Sequence, residues 1–370
     1  MKINYAKWAF ICAVVYFYSL NGQFTIENNS FLTVSTVTEI ALNCDFINNG
    51  DIENEGTVYI QGNWFNITGN YYGDGKVIFN GSNQIIDHNN QSFYSLQFNT
   101  DYTFIENSLS IDHELILING IITPDQNAKF LVKSNADVIS KNNSSYINGT
   151  LYHEGTGLKF YPIGKEGYYR PVTLQNIQGI DPVVGLEAFN KNTLMQCSPD
   201  LNKVTSELCW QLKQLSGIYD SSRVIVELNY GITDLTGPLV LAQADSIEKS
   251  FIGIGNMNKN NQVIISESPL TENIFSVAEV NDFKIEIMNI ITPNGDGVND
   301  NLYIKNIEYY PDNKVIILNK AGTEIFSVNN YDNSWNTEIN AKNLSQGDYI
   351  CILKIHGISK VYKQMVSVIY

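Results

Sequence analysis

Residues 57–87 read TVYIQGNWFNITGNYYGDGKVIFNGSNQIID, and apolar pairs recur from this stretch onward at a fixed spacing. Val58 and Ile60 are followed 19 residues later by Val77 and Phe79. The same step leads to further pairs, which are Leu96 with Phe98 and Leu115 with Leu117. Two residues at positions i and i+2 of a strand point to the same side, so equal spacing lets strands of successive turns lie one above the next. The spacing therefore predicts a parallel β-solenoid with turns of about 19 residues.

A second apolar column keeps the same step and supports this interpretation. Ile67, Ile86 and Ile105 are each separated by 19 residues. A single turn cannot bury its apolar face, whereas stacked turns enclose a continuous core. The alternative is an antiparallel sandwich whose hairpins coincide in length, since it also produces a near repeat. The common register of the columns favours the solenoid, which we expect over residues 23–148.

The composition indicates an all-β protein and excludes nucleic-acid binding. The chain has 370 residues, of which 44% are hydrophobic and 12% aromatic, as is typical of a globular protein rich in strand-forming side chains. Its formal charge is -15, and Arg170 and Arg223 are its only arginines. A basic face for nucleic acid cannot be assembled from such a chain. The length predicts roughly two or three domains.

Residues 1–22 have the organisation of a secretory signal peptide. Two lysines precede an apolar run from Trp8 to Tyr18, and a small polar stretch follows up to Gly22. The run is shorter than the roughly 20 residues that span a bilayer. We therefore expect Sec-dependent export with cleavage near Gly22, and no membrane-spanning segment after cleavage.

Four cysteines follow the predicted signal peptide. In an exported protein Cys197 and Cys209, which are 12 residues apart, could form a disulfide. We expect Cys44 and Cys351 to be small buried apolar residues, the more common role of an unpaired cysteine. The sequence has no C-x-x-C pair, which disfavours a structural zinc site.

Four neighbouring aromatic residues form the best candidate for a ligand patch on the solenoid. They are Trp64, Phe65, Tyr71 and Tyr72. Exposed rings of this kind offer flat apolar faces to sugar rings, while nearby amides can hydrogen-bond hydroxyl groups. The alternative places these aromatics in the core, where large aromatic side chains are usually buried.

No catalytic motif is present in the sequence. It contains neither H-E-x-x-H, nor a G-x-S-x-G elbow, nor a phosphate-binding loop, and its four histidines are scattered. We therefore predict no catalytic residue and no cofactor, apart from a calcium ion considered below. A polysaccharide lyase or glycoside hydrolase is the enzymatic alternative, because paired carboxylates perform glycoside hydrolysis. Carboxylates that could face one side of the solenoid include Asp51, Glu53, Glu55, Asp74 and Asp87.

The remainder of the chain also has the pattern of β-structure. Residues 149–282 alternate apolar and polar side chains between Gly and Pro breaks, and we interpret them as a sandwich that belongs to the passenger. Residues 283–370 contain seven short strand-like stretches, which fits an immunoglobulin-like sandwich.

A loop-like stretch near the start of this last region, ITPNGDGVNDNLYI at residues 291–304, has two interpretations. Asn294, Asp296, Asn299 and Asp300 carry oxygens that could ligate calcium. The stretch lacks the distal bidentate Glu of an EF-hand loop. Its density of turn formers also predicts a corner between two strands in which the side chains cap loop amides. Both interpretations stay open at the level of sequence.

The motifs of the C-terminal region follow one another in a characteristic order. The signature T-P-N-G-D-G-x-N-D at 292–300 is followed by a hairpin glycine, a tryptophan and a late G-x-Y. This order resembles the gliding motility-associated C-terminal domain, which is the type B sorting domain of the type IX secretion system. The resemblance implies export across the outer membrane with the type IX machinery as partner. Its motif residues here are Thr292, Pro293, Asn294, Gly295, Asp296, Gly297, Asn299, Asp300, Gly322, Trp335, Gly347 and Tyr349.

The solenoid carries a second, less specific resemblance. The stretch from Val77 to Leu96, with its V-x-F-N-G and F-x-x-L motifs, is similar to repeats of adhesin-like surface proteins of the Bacteroidetes. Together these observations predict an exported, non-enzymatic adhesin-like or scaffold protein, secreted to the cell surface or the extracellular space. A polysaccharide or a cell-surface glycan is the candidate ligand.

Overall fold

The structure is a computed structural model. It describes residues 9–11, 15–17, 22–140, 143–194, 196–228, 232–244, 250–258, 263–281, 285–310, 312–333, 344–355 and 361–370. Within these ranges the regular structure is β-strand apart from one 3-10 turn at Ile307–Tyr309, which confirms the all-β class. In the same ranges no helix has the length and apolar character needed to span a membrane.

The chain divides into two compact units, and the predicted middle region 149–282 contributes to both of them. The first unit comprises Met1–Asn192, Glu207–Ile232 and Pro269–Phe275, and the second comprises Thr193–Ser206, Thr233–Ser268 and Ser276–Tyr370. The predicted solenoid lies in the first unit, and the predicted sorting domain lies in the second.

Three columns of parallel strands form the solenoid, which confirms the prediction from the repeat. The first column, called sheet 1, begins with a ladder of four strands, which are Ala9–Ile11, Phe31–Val34, Asp51–Asn54 and Asn70–Tyr72. A second ladder continues this column with the starts of Ser92–Ile105 and Leu109–Pro124, followed by Phe130–Val132 and Leu151–Glu154. Sheet 2 contains Val15–Phe17, Glu39–Leu42, Thr57–Ile60, Lys76–Phe79, the middles of the two long strands and Asp137–Ser140. Sheet 3 contains Gln23–Ile26, Asp45–Asn48, Trp64–Asn66, Asn83–Asp87, the ends of the long strands and Ser145–Ile147.

The register of sheet 2 follows the 19-residue step. Val77 lies between Val58 and Leu96 on the neighbouring strands, and Phe79 lies between Ile60 and Phe98. In the same way, Leu96 pairs with Leu115 on the next strand, and Phe98 pairs with Leu117. All of these side chains are buried, so the repeat in the sequence is the inner face of one sheet.

The prediction of a second apolar column is only partly correct. Ile86 pairs with Ile105 as predicted, but on its other side it pairs with Trp64, and Ile67 is 49% exposed. The reason is that the connection from sheet 2 to sheet 3 is three residues shorter in the earlier turn. A fixed spacing holds along one sheet but fails across a corner of variable length.

Buried asparagines stabilise the corners between the sheets. Asn48, Asn54 and Asn66 are fully buried. The Asn48 side chain donates to Asn66 Oδ1 at 2.9 Å and accepts from the Gly50 amide at 3.1 Å. The Asn54 side chain accepts from the amide of Gly56 at 3.2 Å and donates to a tyrosine hydroxyl of the next turn. These amides supply partners for backbone groups that the parallel ladders leave free at each corner.

Most of the predicted signal peptide lies outside the described residues. The two short strands that are described pair with the first turn, Ala9–Ile11 beside Phe31–Val34 and Val15–Phe17 beside Glu39–Leu42. Cleavage near Gly22 would remove both strands, and it stays a prediction.

One strand converts the parallel solenoid into antiparallel structure. Leu151–Glu154 pairs in parallel with Phe130–Val132 and antiparallel with Val172–Phe189. The latter strand forms a long ladder with Cys209–Glu227, and Gly157–Tyr161 pairs with its first half. A short hairpin joins Gly164–Lys165 to Tyr168–Tyr169. The last turn of sheet 1 is therefore covered by a strand of opposite direction.

The remaining strands of the middle region lie mainly in the second unit. They are Gln196–Cys197, Leu201–Val204, Leu239–Ala244, Ser250–Gly255, Val263–Ile265 and Ile274–Val280. The pairing of Leu239–Ala244 with Ser250–Gly255 is antiparallel, as is that of Leu201–Val204 with the end of Ile274–Val280.

The C-terminal region contains two sheets around one apolar core. A five-stranded sheet has the order Ile290–Ile291, Val361–Val368, Gly347–Ile355, Asn313–Leu318 and Glu324–Asn329. A two-stranded sheet pairs Glu286–Ile287 with Ile304–Lys305. Leu302, Val315 and Leu353 are fully buried members of the shared core. These seven strands fit the sandwich that the sequence predicts for this region.

Candidate functional site

The loop from Thr292 to Asp300 is closed by its own side chains, as the turn interpretation predicts. Thr292 donates its amide to Asn299 O at 2.7 Å and its hydroxyl to Val298 O at 3.0 Å, which joins the two ends. Asp300 lies across the loop and accepts the amides of Gly295 and Gly297, each at 2.7 Å. One carboxylate therefore holds both glycines in place.

Two further side chains cap amides inside the loop. Asn294 Oδ1 accepts the amide of Asp296 at 3.0 Å, and Asp296 Oδ1 accepts the amide of Val298 at 2.8 Å. The Val298 amide, helped by the Asn294 side chain, holds the pKa of Asp296 below its ordinary value. Each bond spans two residues, the reach of an Asx turn.

The signature residues have separate backbone roles. Gly295 and Gly297 have φ of +82° and +86°, values that a residue with a Cβ adopts at a cost. Asn299, at φ +52°, is the residue type that best tolerates this region after glycine. The pattern G-D-G-x-N-D thus encodes one loop conformation together with the carboxylate that closes it.

Calcium has to compete with existing hydrogen bonds in this loop. Both carboxylate oxygens of Asp296 accept a donor, Val298 N on one and Asn294 Nδ2 on the other. Both oxygens of Asp300 accept glycine amides. Within the described residues, no group of three or more His, Cys, Asp or Glu side chains is arranged to hold a metal ion. The described hydrogen bonds are those that the capped-corner interpretation predicts, and the calcium site stays a prediction.

The other motif residues lie at further turns of the C-terminal domain. Gly322 has φ +81° in a hairpin that Asn319 caps, since Asn319 Oδ1 accepts the amides of Ala321 and Thr323. Gly347 begins a strand, and two residues later the buried Tyr349 donates its hydroxyl to a backbone carbonyl at 2.8 Å. Trp335 lies outside the described residues.

The predicted aromatic ligand patch is wrong for two of its four members. Trp64 is 1% exposed and Tyr71 is 7% exposed, and both rings pack inside the solenoid. Trp64 Nε1 donates to His88 Nδ1 at 3.0 Å, which satisfies its polar group within the core. Phe65 follows Trp64 in the same strand and is half-buried, while Tyr72 is 44% exposed. Alternation along a strand turns neighbours to opposite sides, so these four rings cannot share one surface.

The predicted disulfide is absent from this structure. Cys197 and Cys209 are free thiols. Cys197 Sγ contacts Leu201 O at 3.6 Å, and Cys209 Sγ contacts Lys191 O at 3.8 Å. The two cysteines belong to different compact units, so short spacing along the chain does not place them in one local loop. Cys44 and Cys351 are buried, as expected.

The solenoid has an open groove that the sequence analysis did not identify. Its volume is about 400 Å³, and it lies along the edge where sheet 1 turns into sheet 2. Its lining residues are Val37, Thr38, Glu39, Glu55, Gly56, Thr57, Asp74, Gly75, Lys76, Tyr94, Ser95, His113 and Glu114. We call this feature the corner groove.

Two outward columns of side chains build the corner groove. The first residues of the sheet 2 strands form one column, in which Lys76 lies between Thr57 and Ser95, and Glu39 and Glu114 continue it at either end. The residues immediately before them form the second column, which is Thr38, Gly56, Gly75, Tyr94 and His113. The glycines leave space between Thr38 and Tyr94. The sequence signal that could have identified these columns is the same 19-residue step, taken at the residues that precede each buried pair.

The floor of the corner groove is held rigidly. A Cβ on Gly75 would lie 2.6 Å from the Asn54 side chain, and one on Gly56 would lie 2.4 Å from Thr38 O. Asn54 packs beneath the floor and hydrogen-bonds Tyr71 Oη at 2.9 Å. Both glycines are required for the close stacking of adjacent turns, and that stacking keeps the groove open.

Charge in the corner groove is predominantly negative. Four carboxylates, from Glu39, Glu55, Asp74 and Glu114, face one cation, Lys76. Lys76 Nζ lies 3.2 Å from Glu114 Oε2 and so already has a partner. The other three carboxylates are exposed and form no ion pair with a described residue. The arrangement attracts cations and hydrogen-bond donors and repels polyanions.

Comparisons with known proteins agree with the assignment of the C-terminal region. Residues 285–369 match the family described as the CHU_C type IX secretion signal domain. A search of curated proteins and a search of solved structures each found no match. The matched range contains the self-capped loop and the whole described sandwich, so residues 285–369 of this chain are a type IX secretion signal domain.

Proposed function

We propose that the protein is an exported, non-enzymatic binding protein of the adhesin-like kind, whose solenoid is the passenger. The observation that carries the export part of this proposal is the type IX secretion signal domain at residues 285–369, which directs the chain to the cell surface or the extracellular space. A Sec signal peptide at residues 1–22 would take the chain across the inner membrane first, as its two lysines and apolar run predict.

Export is tested with the full chain in a bacterium that has the type IX machinery. We expect the protein on the cell surface or in the medium, and we expect a chain lacking residues 285–370 to stay in the periplasm. A host without the machinery is the control. Equal release of both chains in both hosts would refute the sorting role.

Binding by the solenoid is supported by the form of its surface. The corner groove is open, its floor is backbone, and its walls carry exposed carboxylates and an aromatic pair. Such a surface can hold a ligand through many weak contacts without a reacting centre.

Polysaccharide cleavage is the second candidate, and one observation favours it. The corner groove brings carboxylates and Lys76 together on one edge of the solenoid. Incubating the purified protein with immobilised polysaccharides separates the two functions, because retention and soluble sugar products are scored together. Retention without product supports the binding protein. Released product that disappears in Glu55→Gln and Asp74→Asn variants supports the enzyme.

A further inference from the structure

The strongest unassigned feature of the molecule is the end wall of the corner groove. Tyr94 and His113 are one turn apart and their rings stack, with centroids 4.7 Å apart and an interplanar angle of 23°. That separation equals the distance of roughly 4.8 Å between neighbouring strands, so the stack runs along the solenoid axis. One face of Tyr94 therefore lies on His113, and the other is turned toward the turn of Gly75.

The space in front of Tyr94 has the dimensions of a small-molecule site. Gly75 and Gly56 carry no side chains there, and Thr38 is the next side chain along the column. Three steps between strands separate Tyr94 from Thr38, or about 14 Å. The volume of about 400 Å³ lies within the usual range for ligand pockets. A sugar ring placed on the free face of Tyr94 would continue the stack in the position that the glycines vacate.

Two hydroxyl groups on largely buried residues face the corner groove and can bind a ligand independently of charge. Thr38 and Ser95 are each only 5% exposed, and both line the corner groove. Neither side-chain hydroxyl has a hydrogen-bond partner among the described residues, and neither oxygen is one of the fully enclosed polar atoms, so both are open to the corner groove. They lie at opposite ends of the vacant space, so a ligand rich in hydroxyl groups would satisfy both.

Charge selects among hydroxyl-bearing ligands. Glu39, Glu55 and Asp74 have no cationic partner among the described residues, whereas Glu114 is paired with Lys76. A uronic-acid polymer would be repelled by these carboxylates, while a sugar with free amino groups would supply the missing cations. We propose that the corner groove binds an oligosaccharide of amino sugars, with one ring stacked on Tyr94 and an ammonium group between Glu55 and Asp74. This inference rests on the proposed binding function and names its ligand class and site.

Calorimetric titration of the purified full chain tests the proposal. The probes are a glucosamine tetramer with free amines, its N-acetylated form, and a lysine-rich peptide of equal charge. We expect the free-amine tetramer to bind at least tenfold more tightly than the N-acetylated form at low salt, with the difference shrinking as salt rises. A peptide that binds while the tetramer does not would overturn the saccharide assignment.

Substitutions locate the site. The double variant Glu55→Gln with Asp74→Asn should weaken tetramer binding about tenfold, the effect of losing two exposed ion pairs. Tyr94→Ala should weaken both tetramers by a similar factor, because it removes the platform that they share. The matched controls Asp101→Asn and Tyr102→Ala change an exposed carboxylate and an exposed aromatic elsewhere on the solenoid. Binding that is equal in the groove variants and the controls would overturn the proposal.

The outcome can be separated from that of the proposed function. If the protein is retained on other polysaccharides but ignores amino sugars, the site assignment is wrong and the binding function stands. If it is retained on none of the immobilised polysaccharides, the binding function itself is wrong.

Discussion

Acid should destabilise this protein through a buried histidine of the solenoid. His88 is fully buried, and its Nδ1 accepts from Trp64 Nε1 at 3.0 Å. Its Nε2 lies 3.2 Å from Ser92 O and donates to it, which fixes the neutral tautomer. Burial lowers the pKa of His88 from its ordinary 6.5 to about 3. A proton on Nδ1 would break the bond to Trp64 and place a charge in the apolar core.

A second histidine behaves in the same way. His153 is buried, and its Nε2 lies 2.9 Å from Phe160 O. Burial, together with the nearby charge of Lys159, lowers its pKa to about 3. Both histidines are therefore neutral in the folded protein across the range in which an unfolded histidine becomes charged.

The sign and size of the loss of stability at low pH follow from proton linkage. The folded pKa lies below the unfolded pKa of 6.5, so the unfolded chain binds more protons as the pH falls. The stabilisation is complete above about pH 6.5 and is lost progressively as the pH falls toward 3. Within this window, each histidine should lower the unfolding free energy by about 1.4 kcal/mol for every unit by which the pH falls. At pH 5 that is about 2 kcal/mol for each, a large part of a typical unfolding free energy of roughly 5–15 kcal/mol.

Urea unfolding at pH 7 and pH 5 measures this loss. Carboxylates also contribute to the pH dependence, so the decisive quantity is the difference between the parent chain and His88→Gln. Glutamine can accept from Trp64 and donate to Ser92 but does not titrate. The variant should lose about 2 kcal/mol less than the parent between the two pH values.

If His88→Gln keeps the full pH dependence of the parent, protonation of His88 does not destabilise the fold. A direct titration gives a second check that does not depend on refolding of the variant. Histidine ring signals in the intact protein should show that His88 and His153 do not protonate above about pH 4. An ordinary titration near pH 6.5 for His88 would refute the assignment of its tautomer and burial.

Three further predictions concern the core, the sorting loop and calcium. Trp64→Ala should lower the unfolding free energy by roughly 3–5 kcal/mol, because it removes a fully buried ring. The exposed Tyr72 is the control, and Tyr72→Ala should change the unfolding free energy by less than about 0.5 kcal/mol. Equal effects of the two substitutions in urea unfolding would contradict the burial of Trp64. Asp300→Ala should release the two glycine amides, lower the unfolding free energy of the C-terminal domain by about 1–2 kcal/mol and reduce export. Asp312 lies in the same domain but outside the loop, so Asp312→Ala should be exported normally. Millimolar calcium should leave the melting temperature of the protein unchanged, and a rise that Asp296→Asn abolishes would restore the calcium interpretation of the loop.

The solenoid could be predicted because its repeat in the sequence corresponds to the register of its parallel strands. Val58, Val77 and Leu96 occupy one position of a parallel sheet, and the 19-residue step between them is the length of a turn. The step failed at Ile67 because the corner before it differs in length from the next one. Register within a sheet is fixed by hydrogen bonding, whereas corner length is free to vary from turn to turn.

The candidate ligand site could not be predicted from residue type. Trp64 and Phe65 are adjacent aromatics, and only the direction in which the strand faces decides which of them enters the core. The corner groove depends on glycines, whose contribution is the space that they leave. The sorting loop was easier to predict, because Asp300 and the two glycines that it holds lie within six residues of one another and need no distant partner.

The strand Leu151–Glu154 has a consequence for how such a protein can change its length. It ends the parallel stack by pairing on its far side with a strand of opposite direction, so the stack has a fixed last member. The turns before it stack one above the next, each adding about 4.8 Å to the column whatever the length of its corners. Gain or loss of one 19-residue unit would lengthen or shorten the passenger as a spacer while leaving both that junction and the export signal unchanged. Reach from the cell surface would then be counted in whole turns.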